Sequence, residues 1–315
     1  MTFDATSTTD DVLAGVDLSG KVAVVTGGSG GLGLETARAL AAHGATVVIA
    51  ARDPQKCAAA RTAITGQVPG AHVDVVHLDL SSLDPVRAAA SEVAQRHPRI
   101  DLLIDNAGVM ACPLARTADG FEMQFGTNHL GHFLFTLLLV EPLVAAAPSR
   151  VVVLSSAGHR QGGIRWDDPN YGREDEYFNW DAYGQAKTAN ALFAVELDRR
   201  LAPRGVHAYS VHPGVIMTDL ARHMTKEDFD WMAGNRPGGD FTFKSVEQGA
   251  ATSVWAATAP ELESHGGAYL EDCSVAEPTE DPASPSGVRP WARDGDDAAR
   301  LWSLSEELVG DSLVL

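Results

Sequence analysis

Cysteine is scarce in this chain, and long apolar runs are missing. The three cysteines, Cys57, Cys112 and Cys273, are far apart and lie outside any CxxC or histidine-rich pattern, which argues against a disulfide framework and a metal site. The first 17 residues are polar and acidic, and no later stretch has the unbroken apolar length of a membrane helix. These absences predict a cytoplasmic protein with reduced thiols, no metal and no membrane span.

Positive charge is also scarce. The chain has 24 Lys and Arg residues against 42 Asp and Glu residues, a formal net charge of −18, which opposes nonspecific binding to nucleic acids and anionic membranes. With 315 residues, 45% of them hydrophobic, it can bury one large core. Strand and helix patterns alternate throughout, so we expect a single α/β domain built on a doubly wound parallel sheet.

The chain is rich in glycine at one place, the run Thr26-Gly27-Gly28-Ser29-Gly30-Gly31-Leu32-Gly33. An apolar, β-branched strand pattern precedes it at 21–26, and a helix pattern follows at 34–42. A helix N-terminus offers backbone N–H groups and a positive dipole end to phosphate, and glycine lets the ligand come close. The run therefore predicts a dinucleotide site. Two registers remain open: Gly28-x-Gly30-x-x-Gly33 and Thr26-Gly27-x-x-x-Gly31-x-Gly33.

A second motif, Tyr183-Gly184-Gln185-Ala186-Lys187, lies far downstream. Four positions separate the tyrosine from the lysine, so on a helix both side chains lie on one face. A nearby ammonium stabilises phenolate, and lowering the tyrosine pKa from about 10 to about 7 requires roughly 4 kcal/mol. We expect Lys187 and the positive nicotinamide ring of an oxidised cofactor to share this effect. The two motifs together indicate hydride transfer coupled to proton transfer.

The two motifs resemble those of the short-chain dehydrogenase/reductase family, and further landmarks follow in the family's order over roughly residues 18–273. They are Asp79 after the strand 73–78, Asn106-Ala107-Gly108 after the strand 100–104, Asn128 in the next helix, Ser156 after the strand 151–154, and Pro213-Gly214-x-x-x-Thr218. Asn-Ala-Gly-Val-Met at 106–110 and His212-Pro213-Gly214 resemble the retinol dehydrogenase-like branch. The resemblance implies a Rossmann-type domain at 18–273, preceded by a polar segment at 1–17.

The resemblance also implies a role for each landmark. Tyr183, Lys187, Ser156 and Asn128 would form the catalytic site. The cofactor would be held by Gly27, Ser29, Gly31, Leu32, Gly33, Arg52, Asp79, Leu80, Asn106, Ala107, Gly108, Tyr183, Lys187, Pro213, Gly214 and Thr218. Among these, Asp79 would contact adenine and the Pro-Gly loop would hold the nicotinamide carboxamide.

Cofactor choice depends on the end of the second strand, 46–51. A carboxylate there selects NAD, whereas an arginine binds the 2′-phosphate of NADP. The family's NAD-selecting position is Ala51, and Arg52 follows it. Asp53 has another role, because Asp53-Pro54 is a typical helix start, which Asp84-Pro85 repeats. These residues favour NADP(H), with NAD(H) as the alternative.

Ser156 and Tyr183 lie 27 positions apart, about twice the spacing of shorter family members, so 159–181 forms an insertion. It is rich in aromatics, and its candidate substrate contacts are His159, Trp166, Phe178 and Trp180, beside Ser156 itself. The insertion forms either a wall of an apolar pocket or a surface segment held by its own aromatics, and both remain open. A second pocket segment is expected at 219–245, beside the nicotinamide loop.

The tail, 274–315, is rich in proline and acid before a helix pattern returns at 296–308. We expect a C-terminal arm and helix that pack on the domain or on another subunit. The apolar stretch 130–144 must likewise be buried by the core or by a partner, so a homo-oligomer remains open.

We therefore predict an NADP(H)-dependent oxidoreductase that interconverts a lipophilic alcohol and its aldehyde or ketone. The alternatives are an NAD-dependent alcohol dehydrogenase and a noncatalytic module that senses NADP(H). Because Tyr183, Lys187 and Ser156 are all present, the enzyme is favoured over the sensing module.

Overall fold

Eight strands form one sheet in the computed structural model, which describes residues 3–234 and 243–314. The strands are β1 Val22–Thr26, β2 Thr46–Ala51, β3 Val73–His77, β4 Leu102–Asp105, β5 Ser149–Leu154, β6 Val206–His212, β7 Tyr269–Glu271 and β8 Ser274–Val275. Their order is β3-β2-β1-β4-β5-β6-β7-β8, and all neighbours are parallel except β7 and β8. The predicted doubly wound sheet is confirmed.

Helices cover both faces of this sheet. They are α1 Thr9–Leu13, α2 Gly31–Ala42, α3 Pro54–Gln67, α4 Leu83–Arg96, α5 Met123–Phe125, α6 Gly131–Leu138, α7 Val140–Ala146, α8 Asn179–Leu201, α9 Lys226–Gly234, α10 Val246–Thr258 and α11 Gly295–Val309, with a π-helical turn, Gly126–Leu130, between α5 and α6. Alternate residues of a strand enter opposite layers. In β1, for example, Val24 belongs to one core cluster, whereas Ala23 and Val25 belong to the other.

The two predicted Asp-Pro helix starts behave differently. Asp53 caps α3, because its carboxylate accepts hydrogen bonds from the backbone N–H groups of Gln55 and Lys56. The prediction for Asp84 is wrong. The helix α4 begins two residues earlier than predicted, at Leu83 instead of Pro85, so Asp84 lies in its first turn and complements the helix dipole there.

The C-terminal helix α11 packs on the domain itself. The indole ring of Trp302 is buried, and its centroid lies 5.0 Å from that of Phe133 and 5.9 Å from that of Phe193 in α8. The observed bounds, Gly295–Val309, extend the predicted helix by one residue at each end. The tail was predicted to pack either on its own domain or on another subunit, and α11 packs on its own domain.

The apolar stretch 130–144 is buried in the core of the same domain, where Phe133, Leu134 and Leu143 are fully covered. Within residues 3–234 and 243–314, no single helix is long and apolar enough to cross a bilayer. The bent pair Met123–Leu138 and Val140–Ala146 meets those two criteria only when its members are taken together.

The chain leaves β1 toward one edge of the sheet and β4 toward the other, so a crevice opens at the carboxyl ends of these two neighbours. One side chain joins the two ends. The Thr26 hydroxyl accepts hydrogen bonds from the backbone N–H groups of Asn106 and Ala107, at 2.9 and 3.0 Å. The Asn106 amide in turn donates to the Thr26 carbonyl at 2.8 Å. The glycine run and the Asn106-Ala107-Gly108 motif thus meet at the ends of β1 and β4.

Candidate active site

The glycine run forms a tight turn between β1 and α2, and its backbone distinguishes the two registers. Gly27 and Gly31 have φ of +65° and +52°, a region that favours glycine. A Cβ added at Gly33 would lie 2.4 Å from Asn106 Nδ2 and 2.5 Å from the Gly27 carbonyl oxygen. At Gly30, by contrast, an added Cβ would meet no atom of the described residues within 4 Å. The turn therefore needs glycine in the register of Gly27, Gly31 and Gly33.

The helix α2 begins at this turn, and its N-cap, Gly30, has no side chain to accept from the first-turn N–H groups. No acidic residue lies in that first turn either. Such a helix start suits a phosphate group, which supplies the missing acceptor and the negative charge. The tight glycine turn and the uncapped helix start both fit a dinucleotide pyrophosphate.

The turn lies in a cleft of about 1480 Å³ that contains every predicted cofactor residue. At one end, Leu78, Asp79 and Leu80 follow β3, and Arg52 is exposed beside them. One oxygen of Asp79 accepts from the backbone N–H and hydroxyl of Ser81, at 3.0 and 2.6 Å. This local turn fixes the carboxylate at the rim of the cleft.

At the other end lie Tyr183 and Lys187, one turn apart on α8 as predicted, with Ser156 after β5. Tyr183 and Ser156 share a hydrogen bond. The ammonium nitrogen of Lys187 lies 5.6 Å from the centre of the Tyr183 ring and donates to the Leu154 carbonyl at 2.8 Å. The structure therefore brings together three predicted catalytic residues from separate segments.

Burial controls the protonation of this group. It raises the pKa of Tyr183 to about 12, although the hydrogen bond with Ser156 partly offsets the effect. It also lowers the pKa of Lys187 to about 7. The expected lowering of the tyrosine pKa is therefore not a property of the protein alone, because desolvation of the phenolate raises this pKa.

Asn128 lies in the π-helical turn, and its side chain holds the loop segment that follows Gly108. Its Oδ1 accepts from the Val109 N–H at 2.8 Å, and its Nδ2 donates to the Val109 carbonyl at 2.9 Å. The Asn128 carbonyl accepts from His132 Nδ1 at 3.0 Å. Asn128 and Lys187 face the same glycine: a Cβ added at Gly108 would lie 3.2 Å from Asn128 Oδ1 and 3.9 Å from Lys187 Nζ.

The Pro213-Gly214 loop closes the opposite side of the cleft. Gly214 has φ of +93°, and a Cβ there would lie 2.8 Å from Lys244 Cδ. The Lys244 N–H donates to the Val215 carbonyl at 2.9 Å, and its ammonium pairs with Asp272. Thr218 packs across the loop on Gly31. Lys244 was not among the predicted site residues, because its contact with the loop arises only on folding.

The aromatic insertion divides into two parts. Trp180 lines the cleft, lies edge-on to Tyr183 at 6.1 Å, and stacks on Trp231 of α9 at 5.0 Å. Trp166 instead packs on the core cluster beneath α11, under the Arg300 guanidinium. Phe178 lies edge-on to Trp231 without lining the cleft. Of these three aromatics, only Trp180 lines the cleft.

His159 was predicted as a substrate contact, and the structure corrects this. Its side chain is fully buried and does not line the cleft. It bonds instead to backbone groups of Ser156 and Arg289. In the second predicted pocket segment, 219–245, the cleft is lined by Leu220, Met224, Phe229, Trp231, Met232 and Phe243. Residues 235–242 of that segment lie outside the described part of the chain.

Sequence reasoning overlooked two glycines beside Tyr183. A Cβ at Gly158 would lie 2.8 Å from Tyr183 Cε1, and one at Gly184 would lie 2.8 Å from the Gly158 carbonyl oxygen. The turn after Ser156 therefore packs directly on the first part of α8. The tetrapeptide Ser-Ser-Ala-Gly and the glycine after Tyr183 were visible in the sequence, but their contact was not.

Relatives of the chain agree on one family. The profile described as short chain dehydrogenase matches residues 21–228. Retinol dehydrogenase 13 of Homo sapiens is 42% identical over 295 residues, which are 93% of this chain and 86% of the relative. The short-chain dehydrogenase/reductase prx1 of Penicillium rubens is 39% identical over 315 residues, 97% of this chain and 91% of the relative.

Solved structures show the same fold. The crystal structure of an uncharacterised protein from Mycobacterium paratuberculosis is 35% identical, with a TM-score of 0.73, covering 98% of this chain and all of the other. The RhlG/NADP active-site complex of Pseudomonas aeruginosa is 25% identical, with a TM-score of 0.63, covering 81% of this chain and 95% of the other.

The fold and these relatives define an oxidoreductase that acts on CH–OH and C=O groups. The chain belongs to the short-chain dehydrogenase/reductase family and is similar to its retinol dehydrogenases.

Proposed function

We propose that this protein is an NADP(H)-dependent oxidoreductase that interconverts a lipophilic alcohol and its aldehyde or ketone. One observation carries the proposal: the glycine turn that fits a pyrophosphate and the Tyr183, Ser156 and Lys187 group lie in a single cleft. The glycine turn, Asp79, Leu80, Asn106 to Gly108 and the Pro213-Gly214 loop would hold the dinucleotide, which supplies the hydride when bound.

In carbonyl reduction, Tyr183 and Ser156 would donate hydrogen bonds to the carbonyl oxygen. Burial raises the pKa of Tyr183 to about 12, so the phenol keeps its proton at neutral pH and can give it to the nascent alkoxide. Lys187, whose pKa burial lowers to about 7, would exchange protons with Tyr183 near neutral pH. Asn128 would bind a water that links Lys187 to solvent.

Arg52 supports NADP over NAD. It is exposed at the rim of the cleft, directly after Ala51 at the end of β2. The neighbouring carboxylate of Asp53 already accepts two backbone hydrogen bonds at the start of α3. Arg52, and not Asp53, would then bind the 2′-phosphate of NADP. In addition, one of the similar structures is an NADP complex.

A lipophilic substrate is supported by the apolar wall beside Tyr183. Trp180, Met224, Phe229, Trp231 and Met232 all line this end of the cleft. The name retinol dehydrogenase, carried by similar proteins, agrees with an apolar substrate.

The experiment is reduction of a homologous series of straight-chain aldehydes with NADPH. Each added CH₂ should stabilise the transition state by roughly 0.8 kcal/mol and so raise kcat/KM about fourfold, until the apolar wall is covered. Phe229→Ala should flatten this slope. Phe178→Ala is the matched control, because Phe178 is 39% exposed and Phe229 37%, but only Phe229 lines the cleft. Absence of turnover would favour the noncatalytic sensing module, and a flat wild-type slope would contradict a lipophilic substrate.

Binding titrations with NADPH and NADH test the cofactor preference. Arg52→Ala should weaken NADPH binding roughly ten- to a hundredfold and leave NADH binding nearly unchanged, because only NADPH carries the phosphate. An unchanged ratio of the two dissociation constants would favour the NAD-dependent alternative. Cytoplasmic location and a homo-oligomer stay predictions.

A further inference from the structure

The C-terminal tail supplies a further wall of the cleft. We propose that the arm segment, residues 280–291, limits the bulk of the substrate, and that His159 acts as a positioning residue that latches this segment to Ser156. The inference rests on the proposed function, since it concerns which substrates reach the same site.

The first argument is position. Six residues of the arm segment line the same cleft as Tyr183, although more than ninety positions separate them from it: Glu280, Pro282, Ser284, Pro285, Arg289 and Trp291. Between them and Tyr183 lie Gly158, Arg160 and Gln161 of the turn that follows Ser156. The arm segment therefore borders the part of the cleft next to the turn that follows Ser156.

The second argument is the set of hydrogen bonds at His159. The Arg289 N–H donates to His159 Nε2 at 3.2 Å, so Nε2 accepts and Nδ1 carries the hydrogen. Nδ1 donates to the Ser156 carbonyl at 2.7 Å. One imidazole thus joins the backbone of the predicted catalytic serine to the backbone of the arm segment.

The backbone carbonyl of His159 makes two further hydrogen bonds that strengthen this connection. Its carbonyl accepts from Trp291 Nε1 at 2.9 Å and from the Thr188 hydroxyl of α8 at 3.2 Å. The side chain is fully buried, and burial lowers its pKa to about 4. The imidazole is therefore neutral at physiological pH, as the donor and acceptor pattern requires.

Two further hydrogen bonds, which do not involve His159, hold the arm segment in place. Arg160 donates to the Pro285 carbonyl at 2.8 Å. The Gly287 N–H donates to the Glu271 carboxylate at 2.5 Å, at the end of β7. Because the arm segment is tied to Ser156, to its turn and to the sheet, its side chains keep a defined distance from the substrate carbonyl.

Two neighbouring residues test the wall. Ser284 lines the cleft, whereas Ala283 is exposed and does not. Ser284→Phe should lower kcat/KM for 2-naphthaldehyde about tenfold or more and leave butanal within about twofold, because the added ring removes room that only the larger aldehyde needs. Ala283→Phe should leave both values unchanged, and neither variant should alter the Kd for NADPH.

A double-variant cycle tests the latch. His159→Phe removes the imidazole hydrogen bonds to Ser156, Arg289 and Tyr269, and His159→Gln keeps a neutral donor and acceptor. If His159 latches the arm segment, Ser284→Phe should lose most of its effect on 2-naphthaldehyde in the His159→Phe background and retain more of it with His159→Gln. Thermal unfolding identifies any variant that fails to fold, in which case the Gln background alone is compared.

Distinct outcomes overturn distinct claims. If wild type reduces neither aldehyde with NADPH, the proposed function fails. If wild type reduces both but Ser284→Phe and Ala283→Phe act alike, the arm segment is no wall. If the effects of His159 and Ser284 substitutions add, His159 is no latch.

Discussion

The two ends of the cleft are built in different ways. The cofactor end consists of short segments directly after β1, β2, β3, β4 and β6, and it uses backbone groups and glycine. The substrate end is assembled from α9, the arm segment and three residues of the insertion, Arg160, Gln161 and Trp180. A residue that follows a parallel strand has its place set by the sheet, whereas a residue in a long loop has its place set by what the loop packs on.

This contrast predicts different responses to substitution. At the cofactor end, small changes should meet rigid backbone and act on dinucleotide affinity. At the substrate end, side chains should tune selectivity. The reacting group lies where the two ends meet, and changes there should be the most severe.

The largest effect is expected for Tyr183→Phe, which removes the proton donor and almost no volume. The rate of single-turnover hydride transfer from NADPH should fall on the order of 10² to 10⁴-fold, while the Kd for NADPH changes little. A rate close to that of wild type would contradict the role of Tyr183.

At the cofactor end, Gly33→Ala should weaken NADPH binding about ten- to a hundredfold, because the new Cβ would meet the Gly27 backbone at 2.5 Å. Gly30→Ala is the matched control, since its Cβ would meet no described atom within 4 Å. Titration of both variants with NADPH measures the difference. Equal losses would mean that the other glycine register binds the pyrophosphate.

At the junction of the two ends, Gly158→Ala should lower kcat about tenfold, because its Cβ would lie 2.8 Å from the Tyr183 ring and displace the phenol. Gly162→Ala in the same turn is the control, with no described atom within 4 Å of the added Cβ. The Kd for NADPH should stay the same in both. If kcat is also unchanged in Gly158→Ala, the ring adapts without loss of alignment.

The smallest effect concerns stability, away from both ends. Burial, and secondarily the charge of His132, lowers the pKa of His129 to about 3. The unfolded chain binds a proton at this residue below about pH 6.5 and the folded protein does not, so stability is lost as pH falls from 6.5 toward 3. His129 alone should cost about 2 kcal/mol between pH 7 and pH 5.

Other buried groups contribute to the same profile, so the comparison needs a variant. His132 and His159 are shifted in the same direction as His129, whereas burial raises the pKa of Asp105 to about 8, which has the opposite effect on the slope. Urea unfolding of wild type and His129→Phe at both pH values isolates the His129 contribution. Equal losses of unfolding free energy in the two proteins would contradict it.

Much of the cofactor end could be predicted from the sequence. The β-branched runs of β1 and β2 indicated buried parallel strands, and the ends of those strands located the glycine turn and Arg52. The glycine register was left open, because only the positive φ at Gly27 and Gly31 and the open space at Gly30 distinguish the two patterns.

At the substrate end, the sequence pattern predicted the cleft-lining residues less well. His159, Trp166, Phe178 and Trp180 were equivalent candidates in the sequence, yet only Trp180 lines the cleft. Trp166 is covered by α11, whose position depends on packing with α8. Long-range contacts of this kind leave no spacing signal in the chain.

The sequence by itself determined the doubly wound sheet, the order of the motifs and the candidates for the reacting side chains, because strand and helix periodicity and the four-residue spacing of Tyr183 and Lys187 are local properties. The tertiary structure decided which aromatics line the cleft, which glycines allow close approach, and that the arm segment contacts the Ser156 backbone through His159. These depend on contacts between segments far apart in the chain, and only the packing of the whole domain brings such segments together.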